Sequence, residues 1–365
     1  MKVKLIFTFL LHCCISTLSA QGGTDPENIW AAPFSCAEDI VKTYHHSKTL
    51  NSNSHTDLLQ HDYYMIWTSG EYILQHKGHI EDIPLLVNVF PEISLDDKIL
   101  SSMVSQKKYE RLVDHYYLLM ALKEGEPFEK ARDGITVDMR FHSIRSLNKN
   151  DYRKLQDIFS SSNEVLHSIY LEKLPFLFQN NGCTEGLRQL KPLIEKNVTD
   201  SSRKKDVLSL YDYYKPLMKG EPAPISILKD KEGKEHSFAE FKGKLLIVDV
   251  WATWCSSCLK KMPLFLQLSE KYRNNDNVAF ITLSIDRKKN RERWIKAMDK
   301  YAMTGLLNLY PDMDYASPFE DAYHISGIPR YLIIDKEGKI VSAFAPSPGD
   351  GLEQMVESLL EQVNY

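Results

Sequence analysis

No charge of one sign dominates this chain of 365 residues: 45 Lys and Arg stand against 49 Asp and Glu, a formal net charge of −4. Without a basic surplus or a long single-sign block, nothing points to nucleic acid or to a strongly charged partner. The short basic run at 287–293 reads as a solvated loop or helix start. No segment repeats at a fixed period, which argues against solenoids, and no low-complexity tract is present. Past the first twenty residues no stretch is apolar enough to span a bilayer. Cysteine is scarce, with only Cys13, Cys14, Cys36, Cys183, Cys255 and Cys258.

What is present begins with Met1-Lys2-Val3-Lys4, a basic start, followed at 5–18 by an apolar core too short to cross a membrane. Ser19-Ala20 then offers a small-residue cleavage site. Residues 1–20 therefore read as a secretory signal peptide, which places the mature chain in the periplasm or another extracytoplasmic compartment with no membrane span. A lipoprotein signal would acylate Cys13 or Cys14, but bulky neighbours such as His12 stand where small residues belong.

The length predicts two domains. Residues 21–218 read as mainly helical, with apolar residues at helical spacing in 109–122 (Leu112, Val113, Tyr116, Leu119, Met120), 163–178 (Val165, Leu166, Ile169, Leu171, Leu174) and 203–217. Pro216, Gly220, Pro222 and Pro224 form a linker signature, and 219–365 is expected to be the second domain. In an oxidising compartment Cys36 and Cys183, both in the helical domain, favour a structural disulfide. Exchange of either with Cys255 is the alternative, although they lack CxxC spacing. His45-His46 and His76-x-x-His79 lack the further ligands a metal site needs, so no metal or cofactor is expected.

The second domain is organised around 248–263, Val-Asp-Val-Trp-Ala-Thr-Trp-Cys-Ser-Ser-Cys-Leu-Lys-Lys-Met-Pro. An apolar, β-branched run (Leu245 to Val248) precedes the two cysteines and helically spaced apolar residues (Met262, Phe265, Leu268) follow. The pair thus lies where a buried strand turns into a helix. Unpaired N–H groups and the positive end of the helix dipole favour a thiolate there, so Cys255 is expected to attack and Cys258 to resolve the mixed disulfide. Asp249, buried by the strand, would have a raised pKa and take the proton from Cys258.

Trp-Ala-Thr-Trp-Cys-x-x-Cys, with Val-Asp before it, Lys-Met-Pro after it and Gly327-Ile328-Pro329 later, resembles the thioredoxin superfamily. Within it the chain is most similar to the TlpA/ResA-like extracytoplasmic thiol–disulfide oxidoreductases. The likeness covers roughly the last two-fifths of the chain. It implies an α/β thioredoxin fold for 219–365, a central mixed sheet with helices on both faces, behind the helical domain. It also implies a cis Pro329 beside the cysteines, with the Ile328 backbone open to pair with a substrate strand. Two positions depart from the family: Lys261 stands where many members carry Glu, and Ser256-Ser257 separates the cysteines. Arg330 is expected at the surface, attracting acidic substrates, Trp254 on the apolar surface that receives a partner, and Trp251 beneath the loop.

These features imply exchange with disulfide-bearing exported proteins and re-reduction by a membrane thiol–disulfide electron donor. The absence of a cation between the cysteines favours the reductase direction over a disulfide-forming oxidant that would use the same residues. A peroxiredoxin-type peroxidase fails, because Ala252 stands where that chemistry needs Thr and Val248 where it needs Pro. A third reading makes the helical domain a client-binding adaptor.

Overall fold

The computed structural model describes residues 36–49, 55–76, 80–96, 105–135, 147 and 149–363. The expected signal peptide with Cys13 and Cys14, the segment 21–35 and His79 lie outside the described residues. The chain divides into two compact units.

The first unit holds the helices α1 (Ala37–Thr49), α2 (His55–Gln75), α3 (Ile83–Val87), α4 (Gln106–Lys123), α5 (Phe128–Ile135) and α6 (Lys149–Ser160). It also takes the first half of α7 (Glu164–Asn181) and the end of α8 (Glu185–Asn197). α4 is its axle, buried at Leu112, Val113, Tyr116 and Leu119 and also at His115, Tyr117 and Leu118, so the apolar face is wider than the sequence stripe. Asn163 caps α7, its Oδ1 accepting from the Leu166 N–H at 3.2 Å. Its Nδ2 donates to Leu95 O and Tyr109 Oη, which satisfies a buried amide. Val165, expected inward, is instead exposed on the first turn of α7. Among the described residues no helix is long and apolar enough to cross a membrane.

The second unit holds Lys173–Lys191 and Ser201 onward. It begins with the end of α7, the start of α8 and α9 (Ser201–Tyr214), then a hairpin of β1 (Leu228–Lys229) and β2 (Glu235–His236). Next come β3 (Leu245–Trp251), α10 (Ser256–Lys271), β4 (Val278–Ser284), α11 (Arg291–Lys300) and β5 (Leu307–Leu309). The unit closes with α12 (Pro318–Ala322), β6 (Arg330–Ile334), β7 (Ile340–Ala345) and α13 (Leu352–Val363). The sheet runs β5-β4-β3-β6-β7. β3 pairs parallel with β4 and antiparallel with β6. Lying in the middle and covered on both faces, β3 is buried at every residue, as its apolar run predicts.

Side chains alternate across β3. Leu246, Val248 and Val250 enter a core with Met262, Trp294, Met298, Phe319, Tyr323 and Leu332. Leu245 and Ile247 enter the other core with Phe265, Leu268, Tyr331, Ile333, Leu352 and Val356. By this parity Asp249 shares the second face. β6 and β7 turn at Asp335–Lys339, where Gly338 takes φ 82° and Asp335 Oδ1 accepts from the N–H groups of Glu337 and Lys339.

Three expectations are corrected and one strand is added. β5, an edge strand with no counterpart among the expected elements, follows β4 in register, Ile281 opposite Leu307. The Pro/Gly cluster after 216 is no free linker. Gly220 N–H donates to Ile340 O at 2.8 Å, Ile340 N–H to Glu221 O at 2.8 Å and Ala223 N–H to Gly338 O at 3.0 Å, so the segment lies along the outer edge of β7. The compact units consequently divide elsewhere than at 218: the Tyr214 ring meets Phe344 edge-on, and at Gly182 (φ 66°) an added Cβ would lie 2.6 Å from the Phe344 ring. Finally, Cys36 and Cys183 are free thiols, and they belong to different units because 173–191 packs with the sheet rather than with the helical unit.

Candidate active site

The end of β3 and the start of α10 position the cysteines. Cys255 is the N-cap of α10, its backbone extended at φ −88°, ψ 99°, and its Sγ accepts from the Cys258 N–H at 3.1 Å. The sulfur therefore occupies the place where a capping oxygen would satisfy an orphan helix donor, next to the positive end of the dipole. Cys255 and Cys258 form a disulfide, with Cα atoms 5.3 Å apart. Ser257 Oγ lies 3.3 Å from Cys255 Sγ. Cys258, one turn on, is fully buried.

The loop before β6 closes the other side. Ile328–Pro329 is a cis peptide, and Ile328 O lies 3.7 Å from Cys255 Sγ, a close approach and not a hydrogen bond, since the disulfide sulfur carries no proton. Trp254 is 57% exposed beside the pair, whereas Trp251 is fully buried in the core beneath it.

Asp249 is fully buried, and neither carboxyl oxygen has a hydrogen-bond partner among the described residues. Burial alone pushes its pKa far above the usual carboxylate range, because no neighbouring donor or cation compensates the charge.

Lys261 is drawn to the surface. Its Nζ donates to Asp350 Oδ2 at 2.8 Å and to Pro348 O at 3.1 Å. The bonds from Lys261 and Ser347 hold the Asp350 carboxyl below its ordinary value. Arg330, expected at the surface, is buried instead. Its guanidinium lies 3.8 Å from the Phe344 ring centroid and donates to Ala343 O, and burial lowers its pKa to about 10. It offers no charge to a substrate.

Two residues that carry the loop escape a sequence reading. Asp286, fully buried just past β4, accepts at 2.8 Å from Thr253 N–H, at 2.7 Å from Thr253 Oγ1 and at 2.7 Å from Ser284 Oγ. Arg293 Nη2 donates to Thr253 O at 3.2 Å from the other side. Thr253 sits in the motif and Ser284-x-Asp286 ends an apolar strand, but nothing in their spacing joins the two. The basic run thus tethers the loop as well as opening α11. Among the described residues no group of three or more His, Cys, Asp or Glu is arranged to hold a metal.

Residues 218–360 match the Redoxin family. Thiol-disulfide oxidoreductase ResA of Bacillus cereus is 28% identical over 145 residues, 40% of this chain and 78% of that protein. Thioredoxin-like protein YneN of Bacillus subtilis is 27% identical over 125 residues, 34% of this chain and 69% of that one. Among solved structures, the thioredoxin domain of a thiol-disulfide oxidoreductase from Bacteroides vulgatus is 29% identical, covers 39% of this chain and 98% of its own, and has a TM-score of 0.36. A solution structure of a candidate thiol-disulfide oxidoreductase from the same organism is 37% identical, covering 40% of this chain and 91% of its own with a TM-score of 0.34.

Proposed function

This chain belongs to the TlpA/ResA-like branch of the thioredoxin superfamily, and from that premise we propose that its Cys255–Cys258 pair reduces disulfides in exported proteins. The chain is a thiol–disulfide oxidoreductase, and the proposal extends to its direction, its clients and the roles of its residues. One observation carries it: Cys255 Sγ caps the helix that bears Cys258, 3.7 Å from the backbone oxygen of Ile328 and beside the exposed Trp254.

In the reduced protein the helix end that now hydrogen-bonds this sulfur favours a Cys255 thiolate. The thiolate attacks one sulfur of a client disulfide; that S–S bond breaks, a Cys255–client bond forms, and the departing client thiolate takes a proton. Cys258 then loses its proton to the Asp249 carboxylate and attacks Cys255. The mixed disulfide breaks, the second client sulfur leaves, and two electrons have moved to the client. An extracytoplasmic protein needs a membrane thiol–disulfide donor to return them. Trp254, Ile328 and Pro329 form the surface on which the client chain lies.

The reduction potential of the Cys255–Cys258 pair, equilibrated against glutathione or dithiothreitol in the signal-free protein, tests the direction. A value near thioredoxin's, about −270 mV, is expected. A value near about −120 mV, as in strong periplasmic oxidants, would reverse the direction. A pair showing no redox equilibrium would end the enzymatic reading of these two cysteines.

A further inference from the structure

A proton must leave this site at every turnover, and the site is sealed: Cys258 and Asp249 are both fully buried. An Asp249 that keeps the proton it received is useless for the next cycle. Three polar atoms in this core lack partners among the described residues and bear on the problem, namely both Asp249 oxygens and the Tyr331 hydroxyl. The two residues stand directly opposite each other in the β3–β6 pairing. Their side chains therefore share one face, with Cβ atoms about 4.5–5.5 Å apart.

We propose that the buried Tyr331 hydroxyl is the proton carrier between Asp249 and the surface, on the side where Lys261 and Asp350 pair. This rests on the reading of Cys255–Cys258 as the reacting pair and Asp249 as the proton acceptor. Tyr331 stands two residues after Pro329, and its ring lies in the core with its centroid 6.0 Å from that of Phe265. Burial raises the pKa of its hydroxyl, and the nearby charges of Asp249, Asp350 and Glu353 raise it further. Asp350, fixed by Lys261 at 2.8 Å, is exposed to solvent.

The transfer needs no tyrosinate. The hydroxyl oxygen accepts a proton from the Asp249 carboxylic acid as it donates its own outward, so Asp249 returns to carboxylate and Asp350 or solvent gains the proton. No electron moves in this step. A rotation of the Asp249 carboxyl, or one water, completes the line. The arrangement also accounts for a buried hydroxyl that lacks a hydrogen-bond partner among the described residues when the cysteines are oxidised.

The test uses the full chain carrying a Cys255–glutathione mixed disulfide, prepared at low pH, with glutathione release followed after a jump to higher pH. Tyr331→Phe should slow release by about a hundredfold, the lower end of what a positioned proton carrier contributes. The solvent deuterium isotope effect should rise, with no fall in melting midpoint. Asp350→Asn, at the exposed end, should slow release by a smaller factor. In an Asp249→Asn background Tyr331→Phe should add nothing further. Release at the parent rate in Tyr331→Phe, with Asp249→Asn slow, overturns the carrier and leaves the acceptor reading standing. Parent rates in both variants overturn both readings. A full additive loss in the double variant also overturns the carrier, since the two residues would then act separately.

Discussion

Asp249 places a buried carboxyl where no described residue hydrogen-bonds it, and its pH behaviour follows. In the unfolded chain the group ionises near pH 3.9, about the value of a free Asp. In the fold, burial keeps the proton on to a much higher pH. The native state therefore binds more protons than the unfolded one above that point, so stability falls as pH rises toward the folded pKa. Asp249→Asn is neutral at every pH. It should raise the melting midpoint at pH 8 by about 3 °C or more, the shift that roughly 1 kcal/mol produces in a domain of this size, and converge with the parent near pH 4. Parallel melting curves across that range would mean that the carboxyl is ionised in the fold. At this scale the sequence is informative wherever position along an element decides the environment. Cys255, Cys258 and Asp249 are legible because a strand-to-helix junction fixes burial and dipole together. Arg330 is misread for a complementary reason: a guanidinium can be buried on an aromatic face without an acid, and only the fold supplies Phe344.

The strand β4 acts on the active-site turn through Asp286 as well as through packing. Asp286→Ala would leave Thr253 N–H, Thr253 Oγ1 and Ser284 Oγ without their acceptor in a buried site. A loss of roughly 3 kcal/mol is expected, along with slower insulin reduction, while Asp286→Asn should lose less because it keeps one acceptor oxygen. Calorimetry and turnover measured on the same samples decide this; an Ala variant as stable and as fast as the parent would show the network to be ornamental. Long elements declare themselves, β3 by its apolar run and α10 and α13 by helical period. β5 does not, because three residues carry no period. Part of what holds it is invisible in sequence: Asn308, buried at its centre, accepts from Thr282 Oγ1 at 2.7 Å and donates to Met303 O and Leu306 O.

At the scale of the whole chain, the stretch before 219 is not dispensable to the sheet. Leu217 lies in the same core as Trp251 and Met262, and the Tyr214 and Phe344 rings meet. Burial of Leu217 alone is worth about 1.5–3 kcal/mol. A fragment of residues 219–363 should therefore melt at least about 5 °C below a fragment of 173–363. Equal midpoints would return the boundary to 218. Proline and glycine at 216–224 mislead here because the composition that marks a linker also marks a chain running along a sheet edge, where a missing N–H is tolerated. That edge run has a further consequence. Residues 220–223 cover the outer side of β7, and Lys229 exchanges both backbone bonds with Tyr310, at 2.9 Å each, just past the end of β5. A single short span thus blunts both open margins of the sheet, the places where another chain could add itself as a sixth strand. Cutting that span away would leave two sticky borders, and the protein would be expected to polymerise side by side well before it unfolds.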